Sequence, residues 1–88
     1  MLKETNGRRV EITLLDRTVT YSGKLTDLLA GLPKERFVRC HQAFAVNVKN
    51  ILELGKQEAT AINGMKIPVS RTFMSDTKKV FVQQLGSN

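Results

Sequence analysis

The chain has 88 residues, 41% of them hydrophobic, with one cysteine and one histidine, and its 14 Lys and Arg outnumber eight Asp and Glu to give a formal net charge of +6. This length allows a single domain over residues 1–88 with a modest core, and no apolar run approaches the roughly 18 residues that span a bilayer. The lone cysteine and histidine exclude an intrachain disulfide and a zinc site, and an N-terminus without an apolar signal segment predicts a cytoplasmic protein.

The positive charge is spread along the whole chain, and the isoelectric point is near 9.9. Such an excess predicts a polyanionic partner, with nucleic acid favoured over a membrane surface. The alternative interpretation is that the basic residues only keep a small domain in solution.

The first half of the chain predicts a β-hairpin followed by a short helix. Apolar and polar residues alternate over residues 9–14, and Val19 and Tyr21 continue the alternation after a turn at Asp16–Arg17. The period then changes, because four leucines follow at i, i+3, i+4 and i+7, one face of a helix near residues 24–31. Gly31 is expected to adopt the left-handed conformation that ends this helix. The leucines are Leu25, Leu28, Leu29 and Leu32.

The second half predicts short strands and a final helix. Phe37–Arg39 and Ala45–Val46 flank a polar junction, Ile51–Leu54 forms a strand, and residues 58–62 and 65–69 form a hairpin around Asn63-Gly64. That dipeptide is the typical signal of a type I′ turn, with positive φ at both residues. Pro68 places its strand at a sheet edge. Helical spacing returns near residues 71–84. The predicted fold class is therefore mainly β, with antiparallel sheets of short strands and two helices.

Catalytic chemistry is not indicated. His41 adjoins Cys40, but neighbours in an extended segment point to opposite faces and nothing supplies a third, orienting group. The sequence has no glycine-rich phosphate loop, no metal-ligand set and no standout pair of carboxylates, so we predict no enzyme and no cofactor. A weaker hypothesis is a redox-gated regulator acting through Cys40.

Three loop-like positions carry side chains that can read DNA bases. Arginine pairs with guanine O6 and N7, and glutamine with adenine N6 and N7, in the major groove. Such groups occur at Arg8 before the first predicted strand, at Gln42 in the central junction and at Arg71 after Val69-Ser70. For each of them the alternative is an ordinary solvated side chain. The few aromatic residues occupy core-patterned positions, which disfavours single-strand stacking.

Two motifs closely resemble the LytTR domain, the DNA-binding output domain of LytR/AlgR-type bacterial response regulators. They are F-V-R-C-H-Q-A-F-A-V-N at residues 37–47 and N-G-M-K-I-P-V-S-R at residues 63–71. Gly23-Lys24-Leu25 and the early E-T-N-G-R-R at residues 4–9 also match, so the resemblance covers essentially the whole chain.

The resemblance implies a β fold whose loops enter successive major grooves of double-stranded DNA, with dimeric binding to repeated half-sites. Carried over by position, the base-reading residues are Arg8, Gln42 and Arg71. Asn47 is expected to be structural and to bond the following turn. The remaining implied contacts are to the DNA backbone, made by Arg9, Arg39, His41 and Lys49, and for His41 the resemblance also leaves open an orienting role in the loop.

Two departures from the family pattern stand out. Ala43 replaces the usual serine, which removes one hydroxyl. The family domain also has about fifteen further residues upstream. If the strand or two that they form is lacking here, we expect neighbouring strand edges to be unpaired, with the gap filled by swapping or dimerisation. A receiver domain is expected, if present, in a longer parent protein. The runner-up function is a small basic β module that docks a protein partner or acidic surface without reading sequence.

Overall fold

The computed structural model describes residues 1–6, 8–14 and 16–86. Two antiparallel sheets, one of five strands and one of three, carry a short helix and a C-terminal helix. No helix in these ranges is long and apolar enough to cross a membrane. The elements in chain order are β1 (Leu2–Thr5), β2 (Arg9–Thr13), β3 (Thr18–Ser22), α1 (Leu25–Ala30), β4 (Phe37–His41), β5 (Phe44–Asn47), a 3-10 helix (Val48–Asn50), β6 (Ile51–Leu54), β7 (Glu58–Ala61), β8 (Lys66–Pro68) and α2 (Arg71–Gly86).

The five-stranded sheet has the order β3-β2-β1-β5-β4. Its middle strand β1 was missed from sequence, because Leu2 is the only apolar residue of the strand and four residues give no visible alternation. β1 pairs with both β2 and β5, so the edges beside it are not left unpaired as expected. The E-T-N-G-R-R segment is thus the end of β1, its turn and the start of β2, and Gly7 within it lies outside the described residues.

The predicted β2–β3 hairpin is confirmed, with Val10 opposite Tyr21 and Ile12 opposite Val19. The alternation therefore gave the correct faces, but burial is uneven. Val10 is fully buried, whereas Val19 and Tyr21 are 38% and 40% exposed. β3 is the outer strand of the sheet, so its apolar side chains have a neighbouring strand on one side only.

The short helix α1 covers one face of this sheet with the predicted leucines. Leu25 is fully buried with Leu2, Val10 and Ala45, and the other three leucines pack around that cluster. The expectation for Gly31 is wrong, because its φ is −94°. The helix ends through short i+3 bonds, from the N–H groups of Gly31 and Leu32 to the carbonyls of Leu28 and Leu29, and these need no left-handed residue.

The second sheet has the order β6-β7-β8, and Pro68 lies on its outer strand as predicted. The Asn63-Gly64 hairpin is confirmed, but its predicted turn type is wrong, since φ is positive at Gly64 (87°) and not at Asn63. The Gly64 N–H bonds the Ala61 carbonyl at 2.8 Å, and Asn63 Oδ1 accepts the Met65 N–H at 3.0 Å. Asn63 thus stabilises the turn through its side chain instead of adopting positive φ.

Helix α2 packs on β4 and closes the core of the second sheet. Thr77 is its fully buried residue, and the hydroxyl donates to the Phe73 carbonyl at 2.8 Å. The buried hydroxyl of Thr77 therefore has a hydrogen-bond partner. Val80 and Phe81 pack on the same cluster, which contains Cys40 of β4. The shared core fixes the start of α2 against the end of β4.

Candidate nucleic-acid interface

The strand directions place two turns at the same end of the five-stranded sheet, which we call the upper end. Thr5 pairs with Arg9, so the β1–β2 turn lies at this end. Phe44, the first residue of β5, pairs with Lys3 of β1 and with His41, the last residue of β4. The β4–β5 turn therefore lies at this end as well. The Glu4 N–H donates to the Ala43 carbonyl at 2.8 Å and joins the two hairpins. Strand spacing puts the centres of these hairpins about 10 Å apart.

The start of α2 lies beside the same end. The Ser70 N–H donates to the Cys40 carbonyl at 2.9 Å, near the top of β4. Gln42 and Thr72 then line one shallow groove with Ser70 and Phe73. Arg71, the first residue of α2, therefore follows directly on a segment that adjoins the β4–β5 turn.

The three predicted base-reading residues are thus brought to one end of the molecule. Arg8 is exposed in the β1–β2 turn, Gln42 is exposed in the β4–β5 turn, and Arg71 is exposed at the start of α2. The strand order places them in a row, with Arg8 above β1 and β2, Gln42 above β5 and β4, and Arg71 beyond β4.

The β3–α1 connection also reaches the upper end. The Gly23 N–H donates to the Arg8 carbonyl at 2.8 Å. Gly23 has φ +150°, and a Cβ there would lie 2.6 Å from the Tyr21 ring, so a larger residue would strain the backbone and displace that ring. The next residue, Lys24, is exposed and adds a cation at this end. Sequence reasoning did not include Lys24 or Thr72 among the candidate contacts. The Gly23-Lys24-Leu25 match was the signal that could have found Lys24.

Arg39 projects from β4 into contacts within the protein. Its Nε donates to the Gln42 carbonyl at 3.2 Å, and a terminal nitrogen donates to the same oxygen. The other terminal nitrogen donates to Thr26 Oγ1 at 2.9 Å, and the guanidinium lies 3.9 Å from the Glu4 carboxylate. The side chain is 26% exposed. These contacts connect the β4–β5 turn to β1 and α1.

His41 also bonds its own turn. Its Nδ1 accepts the Ala43 N–H at 3.1 Å, and its ring packs edge-on against Phe44 with centroids 5.5 Å apart. An accepting Nδ1 carries no proton, so the neutral imidazole has its hydrogen on Nε2. The ring therefore presents one N–H donor away from the turn.

The other predicted backbone contacts divide between the two ends. Arg9 is exposed at the start of β2, on the upper end. Lys49 lies in the 3-10 helix after β5, at the opposite end, where it borders a depression with Arg36 and Gln83. β5 runs down the sheet from Phe44 to Asn47, and this direction separates Lys49 from the row. As predicted, Asn47 bonds the following turn, since its Oδ1 accepts the Lys49 N–H at 3.0 Å.

Cys40 lies below the β4–β5 turn and is fully buried. Desolvation raises the pKa of its thiol to about 11, and Sγ lies 3.7 Å from the Phe44 carbonyl. Because the thiolate is the reactive form, a buried thiol with a raised pKa is a poor redox sensor. The geometry therefore disfavours the redox hypothesis.

Known proteins resemble this chain over most of its length. The family of the LytTr DNA-binding domain matches residues 1–81. The sensory transduction protein LytT of Bacillus subtilis is 33% identical over 81 residues, which cover 86% of this chain and 34% of LytT. LytT of Bacillus cereus is 30% identical over 77 residues, covering 82% of this chain and 31% of that protein. The chain thus spans about a third of the length of the curated relatives it matches.

A solved structure agrees with the fold. The LytTr DNA-binding domain of a Bacillus cereus response regulator superposes with a TM-score of 0.76 at 26% identity, covering 90% of this chain and 76% of that one. This likeness confirms the predicted antiparallel β fold with a short and a C-terminal helix. The family is one of DNA-binding domains and not of enzymes, as the sequence predicted. The chain belongs to the LytTR family of DNA-binding domains found in sensory-transduction response regulators.

Proposed function

We propose that this domain binds double-stranded DNA sequence-specifically and that the upper end of the five-stranded sheet enters the major groove. The observation that carries the proposal is the row of Arg8, Gln42 and Arg71, which are distant in sequence and lie on adjacent turns of one end. Arginine and glutamine are the side chains whose paired donors and acceptors match the edges of guanine and adenine.

The dimensions of the domain are compatible with such binding. Its longest extent is 33 Å, close to the roughly 34 Å of one turn of B-DNA. A major groove about 12 Å wide admits one two-stranded ribbon across its width, so two turns with centres about 10 Å apart would follow one another along the groove.

The backbone contacts of this proposal come from cations at the same end. Arg9 and Lys24 are exposed beside the row, and they would fix the register on phosphates without reading sequence. We leave Lys49 out of this surface because it lies at the opposite end.

The longer relatives support a further part of the proposal. We propose that the domain acts within a longer response regulator, with a receiver domain elsewhere in the parent protein, and that two copies bind repeated half-sites. The longer parent protein is supported by the relatives, since the chain spans about a third of LytT. The binding of two copies to half-sites rests on the family resemblance alone.

The test is selection of bound duplexes from a random pool, followed by competition binding at about 150 mM salt. We expect one enriched motif and a preference for it over random duplex on the order of a thousandfold or more. If no motif is enriched and binding disappears as salt rises, the domain is a generic basic module and sequence readout is wrong.

A further inference from the structure

We propose that Arg39 and His41 are positioning residues that clamp a single peptide group, the one joining Gln42 to Ala43, and thereby fix the direction in which Gln42 projects. The inference deepens the proposed function and rests on it. It assigns both side chains to the protein's own turn, whereas the family resemblance assigned Arg39 to the DNA backbone and left His41 between an orienting and a phosphate role.

The clamp is visible in the bonding of this peptide group. Its carbonyl oxygen accepts from the Arg39 guanidinium, with the Nε contact at 3.2 Å. Its N–H donates to His41 Nδ1 at 3.1 Å. Both polar atoms of the peptide are therefore held by side chains of β4, from residues two apart on the same strand. The register of β4 against β5 shifts between Arg39 and His41, so the two side chains reach the turn from either side of this irregularity.

A turn peptide needs this restraint because it can rotate. Rotation of the peptide between two turn residues exchanges the directions of its C=O and N–H and changes ψ of the first and φ of the second residue. Here the first residue is Gln42, whose side chain must meet a base edge within hydrogen-bonding distance. The register between β4 and β5 also shifts between Arg39 and His41, so strand pairing alone does not define the turn.

The clamping side chains are themselves held. Arg39 bonds Thr26 of α1 and lies beside Glu4 of β1. A guanidinium has five N–H donors, and at least three of those on Arg39 are used inside the protein. His41 is packed on Phe44, and Lys3 Nζ lies 5.8 Å from the centre of the same Phe44 ring. At least three of the five donors of Arg39 are therefore committed to partners within the protein, which holds the guanidinium in place at the turn.

Two substitutions of His41 separate the clamp from a phosphate contact. An asparagine oxygen occupies nearly the position of imidazole Nδ1, whereas a glutamine amide reaches nearly the position of Nε2. The clamp predicts that His41→Asn binds the selected duplex within about threefold of wild type and that His41→Gln loses about tenfold, the effect of roughly one hydrogen bond. A phosphate contact through Nε2–H predicts the opposite order, and that order would overturn the clamp.

Arg39→Lys gives a second, independent comparison. Lysine keeps the charge and can still meet a phosphate, but it has no planar fork for the Gln42 carbonyl. The clamp predicts about a tenfold loss of the cognate preference and an unchanged salt dependence. The matched control is Arg36→Lys, at an exposed arginine outside the turn. This substitution should change neither the cognate preference nor the salt dependence. Unimpaired preference in Arg39→Lys contradicts the clamp.

A double-mutant cycle with Gln42 shows whether His41 affects DNA binding by positioning Gln42. In a Gln42→Ala background, the further loss caused by His41→Gln should fall from about tenfold to less than about twofold in the cognate-to-random ratio. Additive losses in the two backgrounds mean that His41 acts on DNA by itself.

A measurement without DNA keeps the clamp separate from the proposed function. Hydrogen exchange of the Ala43 amide should be slow in wild type and His41→Asn and at least about tenfold faster in His41→Gln. Equal exchange in all three refutes the clamp even if the domain reads DNA. If no DNA motif is selected but the exchange pattern holds, the function is wrong and the clamp of the turn is correct.

Discussion

The two ends of the five-stranded sheet are built from the same strands and differ in chemistry. The upper end has short turns with exposed cations and an amide. The lower end, where the second sheet and the end of α1 meet the first sheet, has an apolar cleft of about 320 Å³. Its walls include Leu28, Leu32, Phe37, Ile62 and Met65. Tertiary packing therefore occupies the lower end and leaves the upper end free for polar groups.

Charge alone does not separate the two ends. Arg17 and Lys49 are exposed cations at the lower end, as Arg8 and Arg71 are at the upper end. The difference lies in the surroundings, because the upper cations flank a turn that is bonded on both sides by neighbouring side chains. A net charge of +6 thus predicts a polyanionic partner but does not show which surface of the domain binds it.

The largest expected effect is on stability and comes from the lower end. Ile67 is fully buried and lines the cleft, so Ile67→Ala should lower the free energy of unfolding by about 2–5 kcal/mol. Denaturant unfolding measures the loss. Ile62→Ala at the cleft rim, where the side chain is 52% exposed, is the control and should cost less than about 1 kcal/mol. The two ends are independent if both folded variants keep the cognate preference of wild type.

A smaller effect is expected on specificity at the upper end. Arg71→Ala should reduce the cognate preference by about 1–3 kcal/mol, because a bidentate contact to a base is lost. Competition binding with the selected and random duplexes measures it. Arg17→Ala removes the same charge at the lower end and should leave the ratio unchanged. Equal losses on both duplexes for Arg71→Ala would remove Arg71 from the base-reading set.

The buried thiol below the upper turn predicts a pH effect. The pKa of Cys40 is raised to about 11 in the folded protein, so the unfolded state loses this proton first as pH rises. The protonated thiol's contribution to stability is complete below the pKa of Cys40 in the unfolded chain. It declines as pH rises from that value toward the pKa of Cys40 in the folded protein. Relative to Cys40→Ala, wild type should lose about 1.4 kcal/mol by pH 10. A difference between the two that stays constant from pH 7 to 10 would show that the thiol is not desolvated.

The smallest expected effect is on the salt dependence of DNA binding. Arg9→Ala should reduce the slope of log affinity against log salt by about 0.9, the loss of one phosphate contact. Lys49→Ala should leave the slope unchanged, since Lys49 lies at the other end of the sheet. The reverse result would move the DNA-binding surface to the lower end and refute the comparison.

Local patterns in the sequence determined most of the elements. The leucine spacing of α1, the alternation of β2, the Asn63-Gly64 hairpin and the edge position of Pro68 depend on residues close in the chain, so they could be recognised without coordinates. The motif resemblance also identified the family. β1 was not predicted for two reasons. Its pairing with β5 joins residues about forty positions apart, and a strand of four residues gives too weak a periodic signal.

The tertiary structure alone decided where the candidate DNA-contacting residues lie and which groups they bond. Sequence reasoning named Arg8, Gln42 and Arg71, but only the sheet order placed them in one row, and only the direction of β5 removed Lys49 from it. It also could not show that the donors of Arg39 bond the Gln42 carbonyl and Thr26. A residue's type fixes which hydrogen bonds it can make, whereas the fold fixes which partners are within reach.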